Sequence, residues 1–191
     1  EEAIKEFGRD SYLTIGPRTI SNPEFEPEED PFFDEIAKNL AKKNINISVG
    51  KWDIDGSPRC ILVDFQNAFS NADDLLFDLW EDFGVDSMFG SWDYIEPVLF
   101  STACGMVIEE IKKHLASEEV YAHFHEWMTG AGMLYLKKHV PDISTVFTTH
   151  ATILGRAMSG SGVDIYSKLD EIDAAAEAKR HNISAKFSLE S

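Results

Sequence analysis

The sequence predicts an α/β domain whose sheet is parallel and covered by helices. Three observations carry that prediction. Residues 120–125 (Val-Tyr-Ala-His-Phe-His) and 146–149 (Val-Phe-Thr-Thr) are short apolar runs of strand type, and residues 126–139 between them are helix-like, with Met133, Leu134 and Leu136. Strand, helix and strand thus follow within about 30 residues, the signature of a βαβ unit, in which only a crossover helix lets two consecutive strands run parallel. From Pro97 onward, Phe100, Cys104, Val107, Ile111 and Leu115 recur at i, i+4, i+7, i+11 and i+15, one face of a long helix. Finally, 191 residues that are 43% hydrophobic and 12% aromatic have enough apolar material for a buried core, which argues against disorder.

The other elements follow in order. Tyr12-Leu13-Thr14-Ile15 is a strand that stops at Gly16-Pro17. Residues 21–31 carry three prolines among five acids and are expected to be a solvated acidic loop. Phe32, Phe33, Ile36 and Leu40 have helical spacing, with Lys42 and Lys43 at the end where cations suit the helix dipole. Ile45, Ile47 and Val49 alternate with polar residues. After the Asp55-Gly56-Ser57-Pro58 turn comes the continuous run Cys60–Phe65, and the pair reads as a hairpin. Residues 71–94 read as a helix and an irregular acidic loop. Pro97 is expected in the first turn of the next helix, where a missing N–H costs nothing. Residues 169–187, with Leu169, Ile172, Ala176, Ile183 and Phe187, close the chain as a helix.

Charge and cysteines narrow the functional classes. The chain has 17 Lys and Arg against 34 Asp and Glu, a net charge of −17. No basic surplus exists to neutralise phosphates, which excludes nucleic-acid backbone binding as the main task and argues against an anionic membrane surface. Cys60 and Cys104 make neither a disulfide framework nor a metal spacing, which fits a reducing, cytoplasmic setting. The uncharged stretch 97–108 is too short to span a bilayer, and no signal peptide is expected. A start at Glu1 without Met fits processing, trimming or a fragment.

In open parallel sheets, ligands bind beyond the carboxyl ends of the strands. Both strands of the βαβ unit end on histidine: one runs His123-Phe124-His125-Glu126-Trp127, the other Thr148-Thr149-His150. If the strands are parallel, His125 and His150 emerge on one edge. Glu126 is then placed at the start of the next helix, beside free backbone N–H groups. Gly130 and Gly132 let that helix lie close to the sheet. Arg156 follows six residues after His150, with Ala157-Met158-Ser159-Gly160-Ser161-Gly162 behind it, a combination able to cradle a phosphate. Each feature also has an ordinary reading. His123 and His125 are equally two hydrogen-bonded rings on one strand face. Glu126 is equally a favourable charge at a helix start, Arg156 a partner for one of many acids, and Gly160–Gly162 a plain loop. From the residues alone the site is a pair of histidines at strand ends.

The same segments resemble a known family. His123-Phe124-His125-Glu126-Trp127-Met128-Thr129-Gly130 resembles the His-Phe-His-Glu-Trp-x-x-Gly stretch of eukaryotic-type glycogen synthases, and Thr148-Thr149-His150-Ala151-Thr152-Ile153-Leu154-Gly155-Arg156 resembles their Thr-Thr-His-Ala-Thr-Leu-Leu-Gly-Arg stretch. Tyr12–Pro17 is similar to their Tyr-Phe-Leu-(Ile/Val)-Gly-Pro. Gly50-Lys51-Trp52, Val63-Asp64, Leu79-Trp80, residues 162–166 and residues 173–178 follow in the family's order. The likeness covers most of the chain and is weakest over residues 18–44.

The resemblance implies the first half of a GT-B glycosyltransferase: a Rossmann-like, mostly parallel sheet with helices on both faces, facing a second such domain across a cleft. On that reading residues 1–191 are an incomplete N-terminal domain. The implied reaction moves glucose, with retention, from a nucleotide sugar (UDP-glucose in this family) to the 4-hydroxyl at the non-reducing end of an α-1,4-glucan. It needs no cofactor and no metal, because arginine, lysine and helix N-termini stabilise the leaving diphosphate. By position, His150 and Arg156 match donor-binding residues, and Glu126 and His125 match the acceptor side. The full enzyme is open to oligomerisation.

The family's Gly-Gly-Ile-Tyr-type loop and nucleotide lysine have no match before Tyr12, and the acidic loop at 21–31 has no placed counterpart. The catalytic-site glutamate and the arginine-rich helix for glucose 6-phosphate belong to a second domain beyond Ser191. This chain by itself is therefore expected to be inactive. Two other functions stay open on residues alone. One is a metal-dependent hydrolase with His123 and His125 as ligands, and His150 or Glu126 completing the set. The other is a non-catalytic carbohydrate-binding module using Trp52, Trp80, Trp92 and Trp127, although core packing is the expected role of those indoles.

Overall fold

The computed structural model describes residues 2–19, 21, 24–115 and 118–191, and the chain divides into two compact units. The first unit is Glu1–Ser70 with Met106–Ala116. A short helix α1 (Glu2–Phe7) precedes strand β1 (Leu13–Pro17). Strand β2 (Phe25–Pro27), helix α2 (Pro31–Ala41), β3 (Asn46–Trp52) and β4 (Arg59–Asp64) follow. The four strands form one sheet in the order β1-β4-β3-β2. β4 runs parallel to β1, whereas β3 is antiparallel to both β4 and β2. A mostly parallel sheet is expected from the family resemblance, but this one is mixed. The connection 53–58 is too short for a crossover and enforces an antiparallel pair. Cys60, Ile61, Leu62 and Val63 are all buried, as befits a strand covered on both faces.

Residues 21–31 are not wholly a loop. Asn22 and Pro23 lie outside the described residues, but Phe25–Pro27 joins the sheet edge. Proline is tolerated there because an edge strand needs no donor on its outer side. The approach is close: a Cβ on Gly50 would lie 2.2 Å from the Glu26 carbonyl and 2.8 Å from the Phe25 ring, so only glycine fits opposite β2. Nor are the acids merely solvated. Asp30 caps α2 by accepting from the Phe32 N–H at 3.0 Å and pairs with Arg59, whose guanidinium lies 5.6 Å over the Phe33 ring. The helix packs Phe33, Ile36 and Leu40 inward as its spacing predicts, whereas Phe32, counted with them, is exposed because it lies on the other side of the first turn.

The second unit, Asn71–Gly105 with Ser117–Ser191, holds the rest. Helix α3 (Ala72–Phe83) is capped by Asn71, which accepts from the Asp73 N–H. Helix α4 (Trp92–His114), whose residues from Met106 onward count with the first unit, starts earlier than Pro97 predicts. The Ser91 carbonyl accepts from the Tyr94 and Ile95 N–H groups and begins the helix, leaving Pro97 inside it at the loss of one backbone bond. Cys104, Val107 and Ile111 are buried as expected, and Ser101, Thr102 and Ala103 are buried too, so this stretch is enclosed on several sides.

The βαβ unit is present. β5 (Tyr121–His125) pairs in parallel with β6 (Ser144–Thr148), and α5 (Gly130–His139) crosses between them. Along β5, Ala122 and Phe124 are buried while Tyr121, His123 and His125 face outward. α6 (Ile153–Gly160), α7 (Ala174–Arg180) and α8 (Ser184–Glu190) complete the chain. The single helix expected over 169–187 is instead a 3-10 turn (Leu169–Glu171) and two helices. Asp173 caps α7 by accepting from Ala176 N, and Asn182, with φ of 56°, breaks the chain before α8. One core joins Leu76, Leu79, Val85, Tyr94, Val98, Trp127, Ala131 and Leu189.

The chain is therefore a mixed α/β protein with parallel strand pairs, consistent with a Rossmann-like domain. Among the described residues no helix is long and apolar enough to cross a membrane.

Candidate functional site

The parallel register sets His125 directly opposite Thr148, so the two strands end level. His123 and His125 project to the same face with ring centroids 4.1 Å apart. His123 Nε2 lies 2.7 Å from Thr148 Oγ1. His150, two residues beyond β6, brings Nε2 to 3.0 Å from His125 Nδ1, and these two rings lie edge to edge with centroids 5.3 Å apart and planes 7° apart. Of the two nitrogens one must donate and the other accept, so two charged rings cannot make this bond.

The electrostatics agree with that requirement. Burial holds the His125 pKa below the ordinary imidazole value, His123 and His150 push it further down, and Glu126 partly opposes them. A depressed histidine pKa means that the fold favours the neutral ring. Its contribution is complete above the unfolded value of about 6.5 and is lost as pH falls through it. In a histidine NMR titration, His125 is expected to stay neutral at a pH where a solvated imidazole is already charged. A midpoint at or above 6.5 would contradict the hydrogen-bonded pair of rings.

Glu126 is held differently from its expected place. Its φ of 65° and ψ of 163° lie in a region that side chains rarely adopt, a local strain that the surroundings must impose. Its backbone N–H donates to the Thr148 carbonyl at 2.9 Å. Its carboxylate does not cap the following turn (Trp127–Thr129). It reaches across to accept the His150 N–H at 3.0 Å. Thr129 Oγ1 donates to the carbonyls of His125 and Glu126, which fixes the bend between strand and turn. Glu126 is thus a clamp between the two strand ends, not a charge at a helix start.

Arg156 lies on α6, one turn in, not in a loop. Its Nε donates to the Ala151 carbonyl at 3.3 Å, beside His150. Thr152 Oγ1 caps the helix by accepting from Gly155 N at 3.1 Å. Gly160-Ser161-Gly162 proves to be the end of α6: Ser161 Oγ donates back to the Ala157 carbonyl and Val163 N to the Met158 carbonyl. That run therefore closes a helix and is not a plain loop. Of the predicted site residues, the structure brings His125, His150 and Glu126 into one cluster and attaches Arg156 to the segment that His150 begins.

Gly132 does let α5 lie close, but to α4 as much as to β5. A Cβ there would meet the Ser101 carbonyl at 2.3 Å and the Phe124 ring at 3.1 Å, while Gly130 faces Leu189. Trp127 is buried, stacked on Tyr94 at 6.0 Å with Lys186 Nζ 5.2 Å over its ring. Trp80 and Trp92 are 51% and 64% exposed, contrary to the core role expected for them.

Among the described residues no group of three His, Cys, Asp or Glu side chains is arranged to hold a metal ion. The His125 and His150 nitrogens are spent on each other at 3.0 Å, and Glu126 is engaged with a backbone amide. The hydrolase alternative has no third ligand here. One contributor was not legible in the sequence. Glu190, on the last helix, accepts from the Ile153 N–H at 2.8 Å. No motif or spacing marks it, because 37 residues separate the partners.

Comparison with known proteins adds the family. The family model described as glycogen synthase matches residues 2–191. Glycogen [starch] synthase of Neurospora crassa is 32% identical over 97% of this chain and 27% of that protein. The liver form of Mus musculus is 31% identical over 95% and 26%. Isoform 1 of Saccharomyces cerevisiae is 30% identical over 98% and 28%. The chain spans about a quarter of the length of these curated relatives.

Proposed function

Because the chain belongs to the glycogen synthase family, we propose that residues 1–191 form the incomplete N-terminal domain of a retaining GT-B glycosyltransferase. The donor is a nucleotide sugar, UDP-glucose, and the acceptor is the 4-hydroxyl at the non-reducing end of an α-1,4-glucan. His150 and Arg156 serve the donor, and His125 and Glu126 line the acceptor side. The setting is the cytoplasm. The observation that carries this reading is the convergence of His125, His150 and the Arg156 segment at the carboxyl edge of a parallel strand pair, where α/β folds take their ligands.

The chemistry of the edge suits the roles. Departure of a nucleoside diphosphate develops negative charge that preorganised donors must meet. At the start of α6 the Ile153 and Gly155 amides are already engaged by Glu190 and Thr152. The Arg156 guanidinium on the same helix has the bidentate fork for that charge. The test is glucose incorporation from UDP-glucose into glycogen by the full-length protein. Arg156→Ala is expected to raise the donor KM by about 10- to 100-fold, the range for losing a hydrogen bond to a charged group. The 191-residue chain alone is expected to give no turnover. Robust glucan extension by that chain would overturn the assignment of half a cleft to it.

A further inference from the structure

We infer that Glu190 is a positioning residue for the donor side of this site: from the last helix it anchors the backbone segment that carries His150 and leads into Arg156. The inference rests on the donor-binding reading given above for Arg156.

The segment between β6 and α6 is tied at both ends by carboxylates. Glu126 takes the His150 N–H at 3.0 Å, and Glu190 takes the Ile153 N–H at 2.8 Å. Glu190 is itself held in place. Its neighbour Leu189 is 7% exposed, belongs to the core with Trp127 and Ala131, and packs within 3.1–3.3 Å of where a Cβ on Gly130 would lie. α8 is also tied down by Lys186, which pairs with Asp93 and lies over the Trp127 ring. The carboxylate therefore reaches α6 from a fixed base.

A cap alone does not explain this arrangement. Thr152 already caps α6 through the Gly155 N–H. The second oxygen of Glu190, Oε1, is buried with no hydrogen-bond partner among the described residues, which is costly for a group serving only a helix end. The charged groups acting on it are Glu126 and Arg156, the predicted site residues themselves. Burial raises the Glu190 pKa first and Glu126 raises it further, while the Ile153 N–H and Arg156 oppose them. The carboxylate is thus coupled to both the clamp and the donor-side guanidinium.

The experiment is steady-state kinetics of the full-length protein with UDP-glucose and glycogen as varied substrates. Glu190→Ala is expected to raise the donor KM by about tenfold, the size of one hydrogen bond to a charged group, with the glycogen KM unchanged. Glu190→Gln keeps an oxygen for the Ile153 N–H and should recover the donor KM to within about threefold of the parent. Glu190→Asp, shorter by one methylene, covers the case in which the alanine variant does not accumulate, and should raise the donor KM at least about threefold. An unchanged donor KM in a folded Glu190→Ala or Glu190→Asp variant overturns the inference. So does an equal rise in both KM values, or a loss that glutamine does not recover. Arg156→Ala, measured in parallel, separates the two claims. If it raises the donor KM and the Glu190 variants do not, this inference alone fails. If it leaves the donor KM unchanged, the donor-side reading fails and takes this inference with it.

Discussion

Replacing His150 with alanine in the full-length protein is expected to lower glucosyl transfer by about 10²-fold, the scale on which removing one preorganised transition-state contact is felt. The geometry says why the loss should be catalytic and not structural. The ring is on the surface, two residues past the end of β6, and its hydrogen bond among the described residues is to His125 Nδ1. Its backbone N–H stays clamped by Glu126 whatever the side chain is. An exposed ring removed from outside the core changes stability by no more than about 0.5 kcal/mol. Initial rates with UDP-glucose, alongside thermal unfolding of the same preparation, check both halves. A variant that transfers glucose within threefold of the parent would remove His150 from the site.

The second large effect is structural. Gly132→Ala is expected to cost about 3 kcal/mol of stability, combining the strain of overpacking with damage to a buried hydrogen-bond relay. The added carbon would lie 2.3 Å from the Ser101 carbonyl and 2.8 Å from its hydroxyl. That hydroxyl is the relay: it donates to the Thr129 carbonyl at 2.6 Å and accepts the Gly132 N–H at 2.7 Å. Neither partner has room to retreat, since Ser101 is 1% exposed inside α4. Thr129 in turn holds the bend after His125, so a displacement of α5 is felt at the strand ends. Urea unfolding should show a lower midpoint with an unchanged slope. A loss below about 0.5 kcal/mol would mean that α5 can move away from α4 freely, contrary to this packing.

Much of the fold is legible in local patterns. The apolar runs at 120–125 and 146–149 predict β5 and β6, the spacing of Phe33, Ile36 and Leu40 predicts α2, and the turn at Asp55-Gly56 predicts the β3–β4 hairpin. The misreadings have a common cause. β2 looks like a loop because prolines and acids disfavour strands locally, yet an edge with Gly50 opposite accepts them. Pro97 looks like a helix start because a proline there costs nothing, yet Ser91 had already begun the helix upstream. Trp80 and Trp92 look like core residues because indoles are large and apolar, but burial depends on which face of the assembled unit they occupy.

The same division runs through the site. Residue order alone put histidines at two strand ends and an arginine shortly after, since strand termination and βαβ connectivity are local matters governed by periodicity over a few residues. Contacts between distant segments needed the folded chain. The pairing of His125 with His150, the inversion of Glu126 into a clamp, and the arrival of Glu190 from α8 depend on register and on which helices pack together. Such contacts are chosen by the closing of the second unit's core, and that core is a property of all the elements that line it at once.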